Sequence, residues 1–487
     1  MRALARDQRV NDSERSWTPI VGILVLAFAA RLTLAWWQPA IVHPDETIQY
    51  LEQAYRVVTG RGLVPWEYQV GARSWLLPGL LVPAVAAARW FSTDPVLLRV
   101  VVALFGIALS LASIAAAAII GRRVGGQSAA LWSAGIAAFW PELLYFSPHV
   151  LADTVAGTLL ICGMAVTYRS SPTRLRLVLA GLLLGFTAMI RPQLAPAVAV
   201  AALGLAGRPR LDRYIALGAS GAAALLAFGL VDWLSWGVPF GSLITYVRVN
   251  TAGVADAFGQ SGPDFYGITA LGAWRWAALP VLVSAAFGIR RAPLIALVAL
   301  TIVLTFSAVG HKEYRFVYPA MPLLFALCGI GTADVLARIF SRAMPYALTG
   351  VWLLAVLSAA TTPAMLAYWQ RGEGVVAALD YINGDPTACG IALNPATSWA
   401  HVGMSRLRDD LVLKDAADPA SYDTLLLIDG PRTGIIPASY SRRVCFNGPE
   451  HACVLRRPGS CSTGRTLRNT PAPAVATVLA RERSWWR

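Results

Sequence analysis

Residues 96–120 read VLLRVVVALFGIALSLASIAAAAII, a run with one charged side chain, Arg99, closed by Gly121-Arg122-Arg123. A helix crosses the hydrocarbon core of a bilayer with roughly 17 to 25 apolar residues, so this stretch is long enough to span it. Phe316–Val335 and Met344–Tyr368 have the same character. Backbone groups in lipid must pair internally, which makes these segments helices. The whole chain agrees: 56% of its 487 residues are hydrophobic and 14% are charged, where a soluble domain carries about a quarter charged residues. The lipid bilayer is the expected solvent.

A net charge of +14 raises nucleic acid as a partner. The arginines, however, fall in short clusters between apolar segments and build no single basic face. They read instead as topology signals under the positive-inside rule. Arg2, Arg6, Arg9 and Arg15 precede Ile20–Trp36, so the N-terminus is expected in the cytoplasm, with Trp36-Trp37 at the outer interface. Ile20–Trp36 lacks a convincing cleavage site and is expected to be retained. Arg122-Arg123 is the next cytoplasmic mark, which requires an odd number of crossings between them. Pro95–Ile120 takes that crossing, and Leu76–Trp90 is expected to lie on the outer surface as an interfacial helix.

The clusters Arg169–Arg176, Arg208–Arg213, Arg290-Arg291 and Arg338–Arg342 then all fall inside if each pair of helices between them is a hairpin. About eleven transmembrane helices result. The outward loops are Gln38–Ser92, Pro141–Asp153, the short turn at Arg191-Pro192, Asp232–Arg275 and Gly310–Arg315. The hairpin around Arg191 is short for two full crossings, which points to tilted or broken helices there.

The expected organisation is a cytoplasmic tail (1–19), a transmembrane domain (20–369) whose first outward loop (38–92) carries amphipathic helices, a small extracytoplasmic α/β domain (370–468) and a loosely ordered tail (469–487). Within the α/β domain Thr424–Asp429 reads as a buried strand and Gly374–Tyr381 as a helical turn or two. Of the six cysteines, Cys389, Cys445, Cys453 and Cys461 lie in this region. An outside location suits one or two disulfides, whose pairing the spacing leaves open.

Polar residues at apolar–polar boundaries are where chemistry is expected, because such charges are costly unless used or paired. His43-Pro44-Asp45-Glu46 follows the first helix, with Ile48, Leu51, Tyr55 and Val58 at helical spacing after it. Asp45 and Glu46 are candidate catalytic carboxylates; the plainer reading is an N-cap and a first-turn acid. Trp66-Glu67-Tyr68, with Arg73-Ser74-Trp75 downstream, offers a sugar-stacking platform or, more plainly, interfacial anchors. In His311-Lys312-Glu313-Tyr314-Arg315-Phe316 three potentially cationic side chains suit a phosphate, against the alternative of a snorkelling helix end. Arg191 is a further phosphate candidate. Asp153 could orient substrate or cap a helix, and Asp232, Trp233, Asn250 and Tyr266 could line an acceptor cleft.

These residues, in this order, resemble the glycosyltransferases of family 22, the dolichyl-phosphate-mannose-dependent mannosyltransferases that include the glycosylphosphatidylinositol-anchor enzymes. The resemblance rests on HPDE with Gln49 and Glu52, then Trp66-Glu67-Tyr68, Arg73-Ser74, Arg191-Pro192, Asp232 with Trp236-Gly237, Asn250 and finally HKEYRF with Pro319. It runs from about Ile20 to about Leu336 and leaves the C-terminal domain outside. It implies a GT-C fold and an inverting transfer from a polyprenyl-phosphate sugar to a glycan or glycolipid acceptor. Asp45 is the expected general base, with Glu46 raising one of the two carboxyl pKa values by repulsion. Lys312 and Arg315, with His311 and Arg191, are expected on the donor phosphate. His43, Gln49, Trp66, Glu67, Tyr68, Arg73 and Asp153 are expected on the sugar or acceptor.

The compact, Arg-rich chain with its added tail looks bacterial, which sets aside the eukaryotic acceptor. The expected location is the plasma membrane with a periplasmic site, or the endoplasmic reticulum for a eukaryotic-like chain. No cofactor is expected; a divalent ion on Asp45 and Glu46 is the less favoured option, since no second set of oxygen ligands is evident. The rival class, a transporter or flippase for a lipid-linked glycan, calls for internal repeats and midplane polar residues, whereas here the polar sites crowd the outer boundary.

Overall fold

A computed structural model describes residues 16–41, 43–170, 172–207, 210–339, 341–395, 402–428, 440, 442–467, 471 and 473–482. Arg2, Arg6, Arg9 and Arg15 lie outside them. Among the described residues five helical stretches are long and apolar enough to cross a membrane: Thr18–Trp37, Pro95–Phe139, Leu211–Trp236, Phe265–Arg291 and Tyr314–Arg338. Met344–Ala360 and Pro363–Asn383, bent by 67°, form a further candidate, and Ala152–Thr167, Pro192–Ala206 and Pro293–Ser307 are shorter apolar helices. Every segment threaded through the membrane from the Arg clusters is helical. The long Pro95–Phe139 run accounts for two of them, because it breaks at Gly125 and Gly126. Gly126 sits at φ +72°, a conformation that costs an L-residue with a Cβ.

That break puts Arg122-Arg123 at a hairpin tip, and residues of three other Arg clusters lie at the same end. Arg123 Nη1 donates to the Tyr168 carbonyl at 3.1 Å, Arg169 Nη2 to the Arg291 carbonyl at 2.5 Å, and Arg291 Nε and Arg338 Nε to the two oxygens of Asp334 at 2.7 and 2.9 Å. One end of the bundle is therefore arginine-rich, and the candidate site residues gather at the other. Between the ends, helices approach closely: a Cβ on Gly329 would lie 2.2 Å from the Ser133 nitrogen. Arg31 is fully buried and ties three segments together, with Nε on Ser110 Oγ at 3.0 Å and Nη1 on the Ala138 carbonyl at 2.7 Å. A buried guanidinium is tolerated where fixed oxygens replace its water.

At the site end, Glu46–Leu51 is a π-helical turn running into the α-helix Glu52–Thr59. Ile48, Leu51 and Tyr55 are buried, as the spacing implies, but so are Glu46, Thr47, Gln49, Glu52 and Gln53. From Glu46 to Tyr55 the chain is enclosed on all sides, in part because the C-terminal domain covers Thr47 and Glu52, and only beyond it does the helix reach the surface, at Val57. Leu76–Phe91 follows, burying Leu77, Leu81, Val85 and Ala88 while leaving Trp90 and Phe91 exposed.

The C-terminal domain holds strands β1 (Ile391–Asn394), β2 (Thr424–Ile428), β3 (Arg442–Phe446) and β4 (Ala452–Arg456) in the order β1-β2-β4-β3. The β1–β2 pair is parallel and the others antiparallel. Helix Glu373–Asn383 packs on the sheet through Val375, Leu379 and Ile382. Ile41, Ile48 and Leu63 of the first outward loop enter the same core. Two disulfides, Cys389–Cys461 and Cys445–Cys453, resolve the pairing that the spacing left open. The stretch 469–487, expected to be loosely ordered, contains the helix Pro473–Glu482. Its Val475 and Leu479 are buried against Ala72, Val249 and Val254.

Candidate active site

Asp45 stands at the start of the π-helical turn, where its carboxylate collects three neighbours. Arg315 Nη2 donates to Oδ2 at 2.8 Å, Gln49 Nε2 to Oδ1 at 2.9 Å, and His43 Nδ1 lies 3.4 Å from Oδ1. Burial pushes the Asp45 carboxyl pKa up, but His43 and Arg315 outweigh it and hold the group well below the usual carboxylate range. Asp45 is therefore ionised throughout physiological pH. One residue on, the chain turns Glu46 away, and its Oε2 pairs with His149 Nδ1 at 2.7 Å. The repulsion expected to raise one of the two carboxyl pKa values does not raise Asp45: adjacent residues in a helical turn point in different directions, and Glu46 has its own partner.

Arg315 is the hub of the site. Beyond Asp45, its Nε donates to Glu313 Oε2 at 2.7 Å, and Nη1 lies 3.7 Å from Asp153 Oδ2. Asp153, fully buried, also faces Arg191, whose Nε is 2.9 Å from Oδ1. That N–H is not aimed at the oxygen, so the attraction is that of charge more than of a hydrogen bond. Glu313 is held by His43 Nε2 and His311 Nε2, each at 3.1 Å. Burial raises the Glu313 carboxyl, but Arg315 and the two histidines pull it well below its usual range. His43, Asp45, Asp153, Arg191, His311, Glu313 and Arg315 thus form one ion-pair network, although they come from separate outward loops.

Other candidates are differently employed. Lys312 Nζ is taken by the carbonyls of Ser261, at 2.9 Å, and Val309. With Arg315 bound to carboxylates, neither cation is free for a phosphate in this arrangement. Tyr68 is buried, its hydroxyl donating to the Gln49 carbonyl at 3.0 Å and its ring against Trp75 and Trp236; Trp66 packs beside the core that receives Leu479. The aromatic triplet consequently offers no free stacking platform, since its faces are used in packing. Glu67 reaches inward instead and accepts from Gln49 Nε2 at 2.7 Å, so that one amide bridges Asp45 and Glu67. Burial drives the Glu67 carboxyl up to about 7, with Arg73 opposing. Asp232 receives the Ser242 N–H and hydroxyl at 2.9 and 2.6 Å, which caps a helix; Asn250 bonds the Tyr246 carbonyl and Trp233 is exposed. Tyr266 is buried.

Sequence reasoning gave no role to His149, the partner of Glu46, or to Glu142, whose Oε1 receives the Trp274 indole N–H and the Tyr314 hydroxyl, the latter at 2.9 Å. An acid beside a proline in an apolar boundary was the available signal for Glu142. Among the described residues the buried Nε of Arg73 has no hydrogen-bond partner, while its guanidinium lies over the Tyr246 ring at 5.2 Å and feels the charge of Asp45.

Two cavities border this network through Arg191 on one side and His43, His311 and Arg315 on the other. One, of about 540 Å³, is lined by Tyr50, Arg73, Ile190, Arg191, Leu243 and Tyr246. The other, of about 830 Å³, is lined by His43, Phe258, His311, Lys312, Arg315 and Arg371 among others.

A polytopic helical scaffold with a buried carboxylate–guanidinium network between two cavities at one end defines a GT-C glycosyltransferase. The fold is shared with ArnT from Cupriavidus metallidurans bound to undecaprenyl phosphate: 13% identity, TM-score 0.58, 91% of this chain and 98% of that one. It is shared also with the arabinofuranosyltransferase AftD from Mycobacteria, at 14% identity and TM-score 0.51 over 90% of this chain and 40% of that one. Residues 22–395 match the Alg9-like mannosyltransferase family, and the chain belongs to it. GPI mannosyltransferase 3 of Yarrowia lipolytica is 25% identical over 474 residues, covering 89% of this chain and 88% of the relative. GPI alpha-1,2-mannosyltransferase 3 of Mus musculus is 22% identical over 320 residues, or 60% and 55%. The protein is an integral, multi-pass membrane glycosyltransferase, as its motifs implied.

Proposed function

We propose that the protein transfers a mannosyl group, with inversion, from a polyprenyl-phosphate donor to a hydroxyl of a glycan or glycolipid on the outer face of its membrane, with Asp45 as general base. The observation that carries this reading is an ionised, anchored carboxylate held by Arg315 in an ion-pair network that borders two unlike cavities. An inverting displacement needs the base and the leaving phosphate on opposite sides of the sugar. The acceptor O–H gives its proton to Asp45 as its oxygen bonds the anomeric carbon. The bond from that carbon to the phosphate oxygen breaks, and its electron pair leaves with the polyprenyl phosphate.

The leaving phosphate gains negative charge that fixed cations stabilise. Arg73 lines the smaller cavity with an Nε that finds no hydrogen-bond partner among the described residues, which supports assigning the phosphate there, with Arg191 as second cation. Lys312 and Arg315, the first candidates, act on the protein instead, Arg315 by orienting Asp45. The larger cavity, with its histidines, aromatic rings and Arg371, suits a glycan acceptor. The bound undecaprenyl phosphate in ArnT and the glycolipid-directed names of the relatives support this donor and acceptor class. The test is mannosyl transfer from a polyprenyl-phosphate donor in membranes carrying Asp45→Asn. Loss of transfer at unchanged protein level is expected; near-normal transfer would remove Asp45 as base.

A further inference from the structure

A third cavity, of about 980 Å³, opens between the site ends of Thr18–Trp37 and Pro95–Phe139 and the C-terminal domain. One wall is apolar, formed by Leu34, Ala35, Val102 and Ala103; the other carries Glu46, Arg99, Asp380, Ser405 and Arg406. Most of these charges are matched. Arg99 Nη1 meets both Asp380 oxygens at 3.1 Å, and Glu46 has His149.

Arg406 feels the carboxylates of Glu46, Asp380 and Glu52, but among the described residues none forms an ion pair with it, and its Nε and Nη2 share the Thr47 hydroxyl, at 3.2 and 2.9 Å. Among the described residues Ser405, 2% exposed, has an Oγ with no hydrogen-bond partner, and Trp369 Nε1 is likewise a buried donor without an acceptor. Both residues line the same cavity. A guanidinium charge, a hydroxyl and an indole N–H make a surplus of donors, and their complement is an anionic group rich in oxygen. The apolar wall adjoins Trp36 and Trp37, 70% and 83% exposed, the kind of pair that marks a membrane interface. An anion here would come attached to a lipid tail.

We propose that this cleft seats the phosphate-bearing headgroup of the acceptor glycolipid, which enters sideways from the outer leaflet with its tail between the two helices and its phosphate on Arg406 and Ser405. The proposal rests on the glycolipid transferase reading, and Glu46 on the cleft wall directly follows Asp45. It gives the C-terminal domain a share in substrate binding.

The experiment titrates the purified full-length protein with dodecyl phosphate, inorganic phosphate and dodecyl maltoside, following Trp fluorescence. An Arg73→Gln background silences the other cationic cleft. Dodecyl phosphate should bind saturably, about tenfold more weakly in Arg406→Gln, as expected for one charge-assisted contact. Arg406→Lys should recover part of the loss and Asp45→Asn should change nothing. Equal binding by Arg406→Gln overturns the proposal. So does inorganic phosphate binding as tightly, which would mean a free-anion site, or dodecyl maltoside doing so, which would mean an apolar groove only. In turnover, Arg406→Gln alone should raise the acceptor KM about tenfold with kcat and donor KM unchanged; a fall confined to kcat would signal a merely structural residue and overturn it. Transfer failing with binding intact counts against the reaction, and binding failing with transfer intact counts against the cleft.

Discussion

Arg315 Nη2 lies 2.8 Å from Asp45 Oδ2, an ion pair between residues 270 positions apart in the chain. The same guanidinium holds Glu313, so the pair is one edge of a fork that fixes the direction of the Asp45 carboxylate. Arg suits this place because its planar donors serve two carboxylates at once, which an ammonium point charge does not.

Arg315→Lys should therefore lower kcat by about 10²-fold, the scale of a misoriented catalytic group, with donor KM little changed. Steady-state kinetics on membranes checks it. A raised donor KM with normal kcat would return Arg315 to the phosphate.

Arg73→Gln should act in the opposite way. A hydrogen bond to a charged group contributes about 1.5–3 kcal/mol, so donor KM should rise roughly 10- to 100-fold. Acceptor KM should stay put, and competition by free polyprenyl phosphate should weaken in parallel.

Glu67 gives a pH signature. Its carboxyl is raised by burial to about 7, so it is neutral below that pH and charged above it, next to Arg73. A polyprenyl-phosphate sugar is a phosphodiester and keeps one charge over this range. Donor affinity should fall as pH rises through about 7, and Glu67→Gln should flatten the profile. For stability the sign is that of a raised pKa. The contribution is fully present below the ordinary Glu value of 4.5 and is lost as pH rises through about 7. Asp45 runs the other way: its depressed pKa contributes stability above the ordinary carboxylate range, lost only in strong acid.

The Cys389–Cys461 disulfide closes 72 residues of chain. By the loop-entropy argument its loss destabilises the C-terminal domain by about 4 kcal/mol. Cys389→Ala with Cys461→Ala should lower the unfolding temperature of that domain and reduce transfer, since the domain packs on the helix that follows Asp45. Differential scanning fluorimetry and transfer assays read the two effects separately.

The membrane path was legible because it depends on segment length and on where arginines fall, both of which are local properties of sequence. Arg123, Arg169, Arg291 and Arg338 do meet at one end, as the threading required. The motifs around Asp45, Arg191 and Arg315 were visible as charges at apolar boundaries. Their wiring was not, because partner choice is decided by tertiary direction. Glu46 faces His149, Lys312 faces carbonyls, and Tyr68 is a packing residue. Arg73 looked like one polar residue among several until its neighbours proved unable to satisfy it.

Glu52 Oε1 accepts the Met404 N–H at 2.7 Å, and Oε2 the Ser405 N–H at 2.9 Å, across separations of 352 and 353 residues. The segment bearing Asp45 is made well before the segment that fastens it. During biosynthesis the turn therefore stays unclamped until the chain has grown through Ser405 and that stretch has folded back against Glu52. The clamp closes from its downstream side, which ties the setting of the Asp45 turn to the folding of a segment synthesised long after it.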